Sequence, residues 1–399
     1  MEFAQQIYQT HTIGGAIWWP PLYALFLSVF VSAQNPFIII SLLQAVGYLF
    51  TLLLLREIVI KIGAVIPIIF ELAALVLLIA MPSFFLIGRV PLAETIFLLF
   101  YMSHGYSLIQ FFVKKRSVWL GLSILFLILA TFTKPTTILL HLVEYPLLFV
   151  WLNQNKIQIK QQWMLLFFAI LIPSFVYGLW IWRNYKYTGV YVFANVANYN
   201  LLAQNYFHLL PYIGALNSKP GDELRIEKSE AIRKRLFQEE LPHYIREHTH
   251  QRPEALSQTQ TYAFASQMAI AQIIKHLPVY ILIHYLKSLA LFIPDNWETV
   301  RHIYPQAKTP IIGADLFIGV ILFGLFIKSI TVFIKNLRAQ SRYNIKSAIS
   351  LLAFINIFYL FSIIGPAALD DGGRFSFVVY PWLVLVFITI LPLNTRNTF

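Results

Sequence analysis

The apolar run WMLLFFAILIPSFVYGLWIW occupies residues 163–182 and ends at Arg183-Asn184. A helix that crosses the hydrocarbon core of a bilayer needs about 20 such residues. Membrane-spanning character returns only near Pro310, and the long break holds most of the acidic residues, a His-rich run and a helix with many Lys and Arg residues. The sequence therefore predicts two blocks of membrane helices with a polar segment between them.

The composition excludes an ordinary soluble domain, because 58% of the 399 residues are hydrophobic and only 12% are charged. The net charge of +12 comes from 30 Lys and Arg residues against 18 Asp and Glu residues. These bases are scattered between apolar segments, which argues against nucleic-acid binding and predicts affinity for anionic lipid or phosphate. Since the chain has no cysteine, disulfides and thiolate metal sites are excluded.

The predicted fold is an all-α integral membrane protein with about nine spans. The candidate spans are residues 36–59, 63–80, 93–113, 118–132, 136–152, 163–182, 311–334, 346–364 and 375–391.

Three parts of the chain follow from these spans. Residues 1–182 form the N-terminal membrane helices with the remnant of an outer first loop, and residues 310–399 form the C-terminal membrane helices. Residues 183–309 form an extracytoplasmic cap. Its predicted helices are 221–246 and 255–272, with an interfacial helix beneath them.

The orientation follows from basic residues in short loops, which mark the cytoplasmic side. This rule places Arg56 with Lys61, residues 114–116 and Lys156 with Lys160 inside, and Arg183 onward outside. A crossing helix at residues 275–292 would move the basic loop of residues 335–346 outside. We therefore expect that helix to lie flat on the outer surface.

Polar residues from distant segments converge on the predicted outer rim. They are Arg89 and Glu94, Lys134, the long break, and the run Asp370-Asp371-Gly372-Gly373-Arg374. In a medium of low dielectric constant, such acids polarise a hydroxyl and such bases hold a phosphate. A sugar carried on a polyprenyl phosphate suits this chemistry, because its transfer leaves a phosphate monoester that needs Lys or Arg partners.

The chain resembles the GT-C superfamily of multi-pass glycosyltransferases, in the branch of the protein O-mannosyltransferases and the lipid A aminoarabinose transferase. The resemblance covers nearly the whole chain and rests on the order of short matches. They are Phe3-Ala4, Pro20-Pro21-Leu22-Tyr23, Leu92-Ala93-Glu94-Thr95, Thr133-Lys134-Pro135-Thr136, Trp182-Arg183-Asn184-Tyr185, Thr188-Gly189, Asn198-Tyr199-Asn200-Leu201, Gly373-Arg374-Phe375 and Tyr380-Pro381.

The resemblance implies a catalytic role for Glu94, at the acidic position of the second outer loop, and a donor-phosphate contact for Arg374. Glu94 equally suits the positive end of a helix dipole, and Arg374 equally suits pairing with Asp370 or Asp371. Lys134 and Arg183 are candidate phosphate ligands or simply snorkel from helix ends. The other expected substrate-binding residues are Arg89, Asn184, Lys275, Lys287 and Asp371.

The family's first outer loop carries an Asp shortly before the segment that Phe3-Ala4 matches. This chain begins after that place, and Glu2 is the nearest acid. We therefore expect an N-terminally truncated member of the family.

Four ionisable residues lie within predicted spans, where they are costly and hence functional candidates. They are Glu71, His104, His141 and Glu144. His141 and Glu144 are three positions apart on one helix face, so they are either functional groups or simply satisfy each other. Between Asn184 and Asn205, several Tyr and Asn residues either contact a sugar or hold ordinary turns. The sequence predicts no metal and no cofactor.

The predicted function is inverting sugar transfer from a polyprenyl-phosphate donor, in a bacterial inner membrane and with the active site on the periplasmic or outer face. The acceptor is a glycan, a lipid or a protein, and membrane lipids are the other partners. A catalytically inactive truncated member and a lipid-linked sugar transporter or flippase remain alternatives. A transporter would carry its polar residues on broken helices near the midplane.

Overall fold

The computed structural model describes residues 2–11, 13, 20–61, 93–154, 162–207, 209–212, 232, 234–289, 319–332, 334, 345–364 and 373–390. Within these residues the chain is helical and contains no strand. The predicted span 63–80, the first part of the predicted cap helix 221–246 (residues 221–231 and residue 233), and the residues Glu71, Arg89, Asp370 and Asp371 lie outside them.

The N-terminal part begins with two short helices, α1 (Glu2–Thr10) and α2 (Pro21–Ser28), followed by the long helix α3 (Pro36–Lys61). Pro21 starts α2, where its missing N–H costs nothing. Ala4, Leu27 and Ile40 are buried together, so these three helices form one small cluster.

The next two helices form a tight hairpin. Helix α4 (Glu94–Lys114) is capped by Lys115, whose φ of 52° is left-handed, and α5 (Ser117–Thr133) begins two residues later. Because the helices run antiparallel, the start of α4 lies beside the end of α5. A 3-10 helix (Pro135–Thr137) then leads into α6 (Leu140–Gln154).

Helix α7 (Gln162–Thr188) carries the chain to the polar break. The cap that follows contains α8 (Asn195–Asn200), π-helical turns at Leu201–Tyr206 and Leu236–Glu240, α9 (Leu241–Thr249), α10 (Gln258–Lys275) and α11 (Leu277–Ser288). A separate apolar core holds the cap together, with Leu202, Leu236, Ile245 and Met268 among its buried members.

The C-terminal part contains α12 (Gly319–Val332), α13 (Ile345–Ile364) and α14 (Gly373–Ile390). Helices α4, α5, α6, α13 and α14 bury apolar side chains against one another and form the main core. By contrast, α3 and α7 expose large apolar side chains such as Leu42, Phe50, Phe167 and Trp182. Such faces are stable only against lipid or another apolar surface.

Four of the described helices are long and apolar enough to cross a membrane: Pro36–Lys61, Ala93–Lys114, Trp163–Thr188 and Ser347–Ile364. Ser117–Thr133 and Gly319–Val332 are apolar but shorter. The chain is therefore an all-α membrane protein, as the sequence predicts. The described residues thus contain four candidate spans, or five if the bent pair α10–α11 crosses as one, and the predicted nine are not shown.

The predicted interfacial helix begins after a sharp bend. Helices α10 and α11 meet at His276 at an angle of 104°, because Pro278 near the start of α11 restricts a continuous helix. Helix α11 packs on the C-terminal end of α13, where the His284 ring and the Ser288 hydroxyl donate to the Phe361 carbonyl, each at 3.1 Å. Its opposite face exposes Leu282 and Leu286.

Candidate functional site

A buried ion pair joins the two adjacent ends of the α4–α5 hairpin. Lys134 Nζ lies 3.0 Å from Glu94 Oε1, and the two side chains are only 9% and 2% exposed. Pro135 disfavours the helical conformation for the residue before it, so Lys134 is extended and α5 ends there. Glu94 is the first residue of α4, where the helix dipole also favours a carboxylate. The structure thus brings together two of the residues that the sequence singles out.

Tyr23 lies near this ion pair and connects it to α2 and α3. Its hydroxyl accepts a hydrogen bond of 3.1 Å from Gln44 Nε2. Burial, and after it the negative charge of Glu94, raise the pKa of the Tyr23 hydroxyl above its usual value. Neither Tyr23 nor Gln44 was predicted as a site residue. The available signals were the match Pro20-Pro21-Leu22-Tyr23 and a lone amide within the apolar α3.

This cluster brings a half-buried phenol near a buried carboxylate and a buried ammonium group. Opposite charges at 3.0 Å neutralise each other, which is what makes their burial tolerable. An anion that binds Lys134 therefore competes directly with Glu94. The arrangement can couple the capture of an anion to the release of a carboxylate base.

Arg183 lies at the end of α7 and is held by several neighbours. Its guanidinium donates to the Asn184 side-chain oxygen at 3.0 Å and to the Ile13 carbonyl, and it lies over the rings of Trp180 and Tyr187. The chain near Ile13 thus contacts α7.

Asn184 is fully buried, and its amide donates to the carbonyls of Val192 and Phe193 at 2.9 and 3.1 Å. It anchors the turn that follows α7. Phe193 packs on Phe132, two residues before Lys134, with 5.4 Å between ring centroids. Asn184 therefore holds this turn against the end of α5 that carries the ion pair.

The remaining predicted site residues are not brought to the ion pair by any described contact. Lys275 is the exposed last residue of α10, and the Lys287 ammonium lies 5.6 Å from the ring centroid of Tyr212 in the cap. Arg374 lies in the first turn of α14, and the position of its side chain is not described. Arg89 and Asp371 lie outside the described residues.

A second polar cluster is buried in the middle of the helix bundle. His104 Nε2 lies 2.7 Å from Glu144 Oε2, and His104 Nδ1 lies 2.8 Å from the Ser123 hydroxyl. Asn356 donates to the other Glu144 oxygen at 2.8 Å and is hydrogen-bonded to Tyr101. Four helices, α4, α5, α6 and α13, therefore share one hydrogen-bonded network.

Of the two alternatives for His141 and Glu144, the mutual pairing is not formed. His141 Nε2 is hydrogen-bonded to the Ser174 hydroxyl at 2.8 Å, whereas Glu144 is bound to His104 and Asn356. Three positions on a helix bring two side chains near each other, but each one here faces a different neighbouring helix.

An apolar groove of about 610 Å³ runs between α6, α12 and α13. Its walls include Leu139, Leu147, Phe354 and Ile363. Leu139, the first lining residue in chain order, lies five residues after Lys134. Its backbone N–H donates a hydrogen bond of 3.1 Å to the Tyr359 hydroxyl. Its lining suits a hydrocarbon chain.

Comparison of the chain with models of protein families, with curated proteins and with solved structures finds no match in any of the three. Among the described residues, no three His, Asp or Glu side chains lie close enough together to hold a metal ion. The assignment of a function therefore depends on the chemistry of the buried clusters and cavities.

Proposed function

We propose that the protein is a membrane glycosyltransferase that moves a sugar from a polyprenyl-phosphate donor to an acceptor hydroxyl on the extracytoplasmic side. The observation that carries this proposal is the buried Glu94–Lys134 ion pair. The resemblance to the GT-C superfamily gives these same two residues to the site. The proposal includes the nine-span topology and a location in a bacterial inner membrane.

The position of the ion pair along the hairpin supports the proposed side. The basic turn at residues 114–116 marks the cytoplasmic end of α4 and α5. Helix α4 has 21 residues and is therefore about 30 Å long, which matches the hydrocarbon core. Glu94 and Lys134 at the other end then lie near the outer headgroups, where a lipid-linked phosphate is found.

The chemical step uses the charges of Lys134 and Glu94 one after the other. The donor phosphate binds Lys134 and takes the place of the carboxylate, so Glu94 is released to accept the proton of the acceptor hydroxyl. The acceptor oxygen forms a bond to the anomeric carbon from the face opposite the phosphate. The bond from that carbon to the phosphate oxygen breaks, and polyprenyl phosphate leaves bound to Lys134. The apolar groove beside α6 and α13 suits its hydrocarbon chain.

Binding of polyprenyl phosphate, the common product of every such donor, tests the proposal without knowledge of the sugar. Lys134→Met should weaken binding by about 10–100-fold, because a charge-assisted contact is lost. Glu94→Gln should strengthen binding, since no carboxylate then competes for Lys134. The matched control is Glu57→Gln, on the exposed part of α3, which should bind like the natural chain.

Sugar transfer in membranes that contain polyprenyl-phosphate sugars completes this test. Glu94→Gln should reduce transfer by about 10²–10⁴-fold, the usual contribution of a general base. If the natural chain binds polyprenyl phosphate tightly but transfers no sugar, the protein is the catalytically inactive truncated member of the family. Equal binding by the natural chain, Lys134→Met and Glu94→Gln would overturn the proposal.

A transporter of lipid-linked sugar is the second candidate, and the buried His104–Glu144 network favours it. His104 lies ten residues beyond Glu94, or about 15 Å along α4, which places the network near the bilayer midplane. In reconstituted vesicles, Glu144→Gln would then abolish translocation while Glu94→Gln left it intact. If the protein is the transferase, Glu94→Gln should instead reduce sugar transfer more than Glu144→Gln does.

A further inference from the structure

The cap contains a polar cleft of about 620 Å³ that the ion pair and the apolar groove do not explain. It lies between the turn after α7, the helix α8, the end of α9 and one face of α10. Its polar lining includes Asn198, Thr249, Gln251, Gln260 and Gln267, and Tyr191 also lines it. We propose that this cleft binds a neutral oligosaccharide.

The chemistry of the lining selects an uncharged ligand rich in hydroxyl groups. None of the described lining side chains is Asp, Glu, Lys, Arg or His, although the chain as a whole carries a charge of +12. Four of them are carboxamides, and a carboxamide offers two donors and an acceptor side by side. The Gln260 oxygen already accepts from Ser257, so this residue offers its N–H donors. Neighbouring hydroxyls of a sugar ring need this mixture of donors and acceptors.

Tyr191 supplies the aromatic surface that such a site needs. Its side chain is 69% exposed, yet its ring is stacked on Tyr185 with a centroid distance of 4.1 Å and an interplanar angle of 6°. The stack orients a large apolar face beside the amides before any ligand arrives. The C–H face of a pyranose ring packs on a surface of this kind, while its hydroxyls reach the amides.

The walls of the cleft are tied together by defined contacts. The buried Asn195 side chain donates to Thr259 Oγ1 at 2.8 Å and so fixes α8 to α10. The Gln260 side chain belongs to the capping box with Ser257 that starts α10. Gly189 has a φ of +71°, which permits the turn that brings Tyr191 to the cleft. A site with these supports binds at a low ordering cost.

The cleft and the ion pair lie at the same end of the helix bundle. The turn that supplies Tyr191 continues to Phe193, which packs on Phe132, two residues before Lys134. A glycan in the cleft is therefore placed to act as the acceptor. That role rests on the proposed sugar transfer, whereas the binding itself does not.

Calorimetric titration of the purified full-length chain in lipid nanodiscs tests the inference without any donor. The probes are neutral gluco-, manno- and galacto-tetrasaccharides, a galacturonic acid tetramer and an uncharged Asn- and Ser-rich decapeptide. At least one neutral tetrasaccharide should bind, and Gln267→Ala and Tyr191→Ala should each weaken it by about tenfold. The uronic acid tetramer should bind more weakly, because no described lining residue pairs with its charges.

Two control variants separate the cleft from general effects on the fold. Gln272→Ala removes an amide from the same helix five residues on, and Tyr8→Ala removes an exposed tyrosine from α1; both should bind like the natural chain. If Tyr191→Ala fails to fold, Gln251→Ala in the exposed turn after α9 replaces it.

Three outcomes would overturn the inference: no saccharide binds, the decapeptide binds better than every saccharide, or the cleft and control variants lose affinity equally. Sugar transfer is not measured in this titration. Failure of the transferase proposal would leave a positive binding result in place, and absence of binding would leave the Glu94–Lys134 tests unaffected.

Discussion

At the level of single residues, the Glu94–Lys134 pair shows how a buried charge acquires its partner. Each side chain alone would be expensive to bury, and together they are tolerated because the charges lie 3.0 Å apart. The same arrangement keeps the proposed base and the proposed phosphate ligand in contact. Substitutions of Glu94 and Lys134 can therefore test separately what the pair contributes to stability and what it contributes to sugar transfer.

Lys134→Met should lower the free energy of unfolding by about 3–5 kcal/mol, because the Glu94 carboxylate stays buried after its main compensating charge is removed. The double variant Glu94→Gln/Lys134→Met should recover much of this loss. Thermal unfolding of the purified protein, followed by loss of the monodisperse peak, measures both effects.

The control for this cycle is the exposed pair of Arg56 and Glu57, whose side chains are 49% and 48% exposed at 3.7 Å. Arg56→Met should change stability by less than about 1 kcal/mol. Equal losses for Arg56→Met and Lys134→Met would mean that burial does not determine the strength of the ion pair.

At the level of elements, α4 is the helix around which the bundle is packed. It carries Glu94 at its start and His104 near its middle, and Gly105 is the point where α14 approaches closely. A Cβ atom at Gly105 would lie 2.6 Å from the ring of Trp382, which is fully buried and has no room to move aside.

Gly105→Ala should therefore destabilise the protein by about 1–3 kcal/mol through overpacking. Gly121→Ala in α5 is the matched control, since a Cβ atom there meets nothing within 4 Å. The control should be neutral or slightly stabilising, because alanine favours the helix. Thermal stability of the two variants gives the comparison, and an equal loss in both would refute the close contact between α4 and α14.

The His104–Glu144 network is the other contribution of α4 to the bundle. Glu144→Gln keeps the shape of the side chain but removes its charge, and the His104 contact at 2.7 Å becomes an ordinary neutral hydrogen bond. If the network is only structural, Glu144→Gln should lower the stability of the protein and lower its activity in proportion. A transporter predicts normal stability with lost translocation, so the two readouts together decide its role.

At the level of the whole molecule, the topology determines on which side of the membrane each candidate site lies. The absence of cysteine makes single-cysteine labelling straightforward, because every introduced thiol is the only one in the chain. The ion pair, the cap and the bend at His276 should all lie on the outer side, opposite the basic turn after α4.

In intact cells, Arg252→Cys in the cap should react with a membrane-impermeant maleimide, whereas Lys115→Cys should react only after permeabilisation. Lys335→Cys, in the predicted cytoplasmic loop of residues 335–346, should behave like Lys115→Cys if α10 and α11 do not cross as one span. Outside labelling of Lys335→Cys would instead make the bent pair an additional span and reverse the orientation of the C-terminal part.

Much of the element plan could be read from the sequence because apolar length is a local property. The predicted spans 36–59, 93–113 and 346–364 agree closely with α3, α4 and α13, and the predicted cap helix 255–272 agrees with α10. The sequence also predicts a second helix at 275–292, separate from 255–272, but not the angle of 104° between them, because that angle depends on what each helix packs against.

The sequence by itself determined that this is an all-α membrane protein and which residues are candidates for buried or interfacial charge. Only the tertiary structure decided the partners: Glu94 with Lys134 and Glu144 with His104, each 40 positions apart, and Asn356 with Tyr101, 255 positions apart. Hydrophobic periodicity is encoded within one helix, but a hydrogen-bonded pair depends on which faces of different helices meet. That choice is made by the packing of the whole bundle.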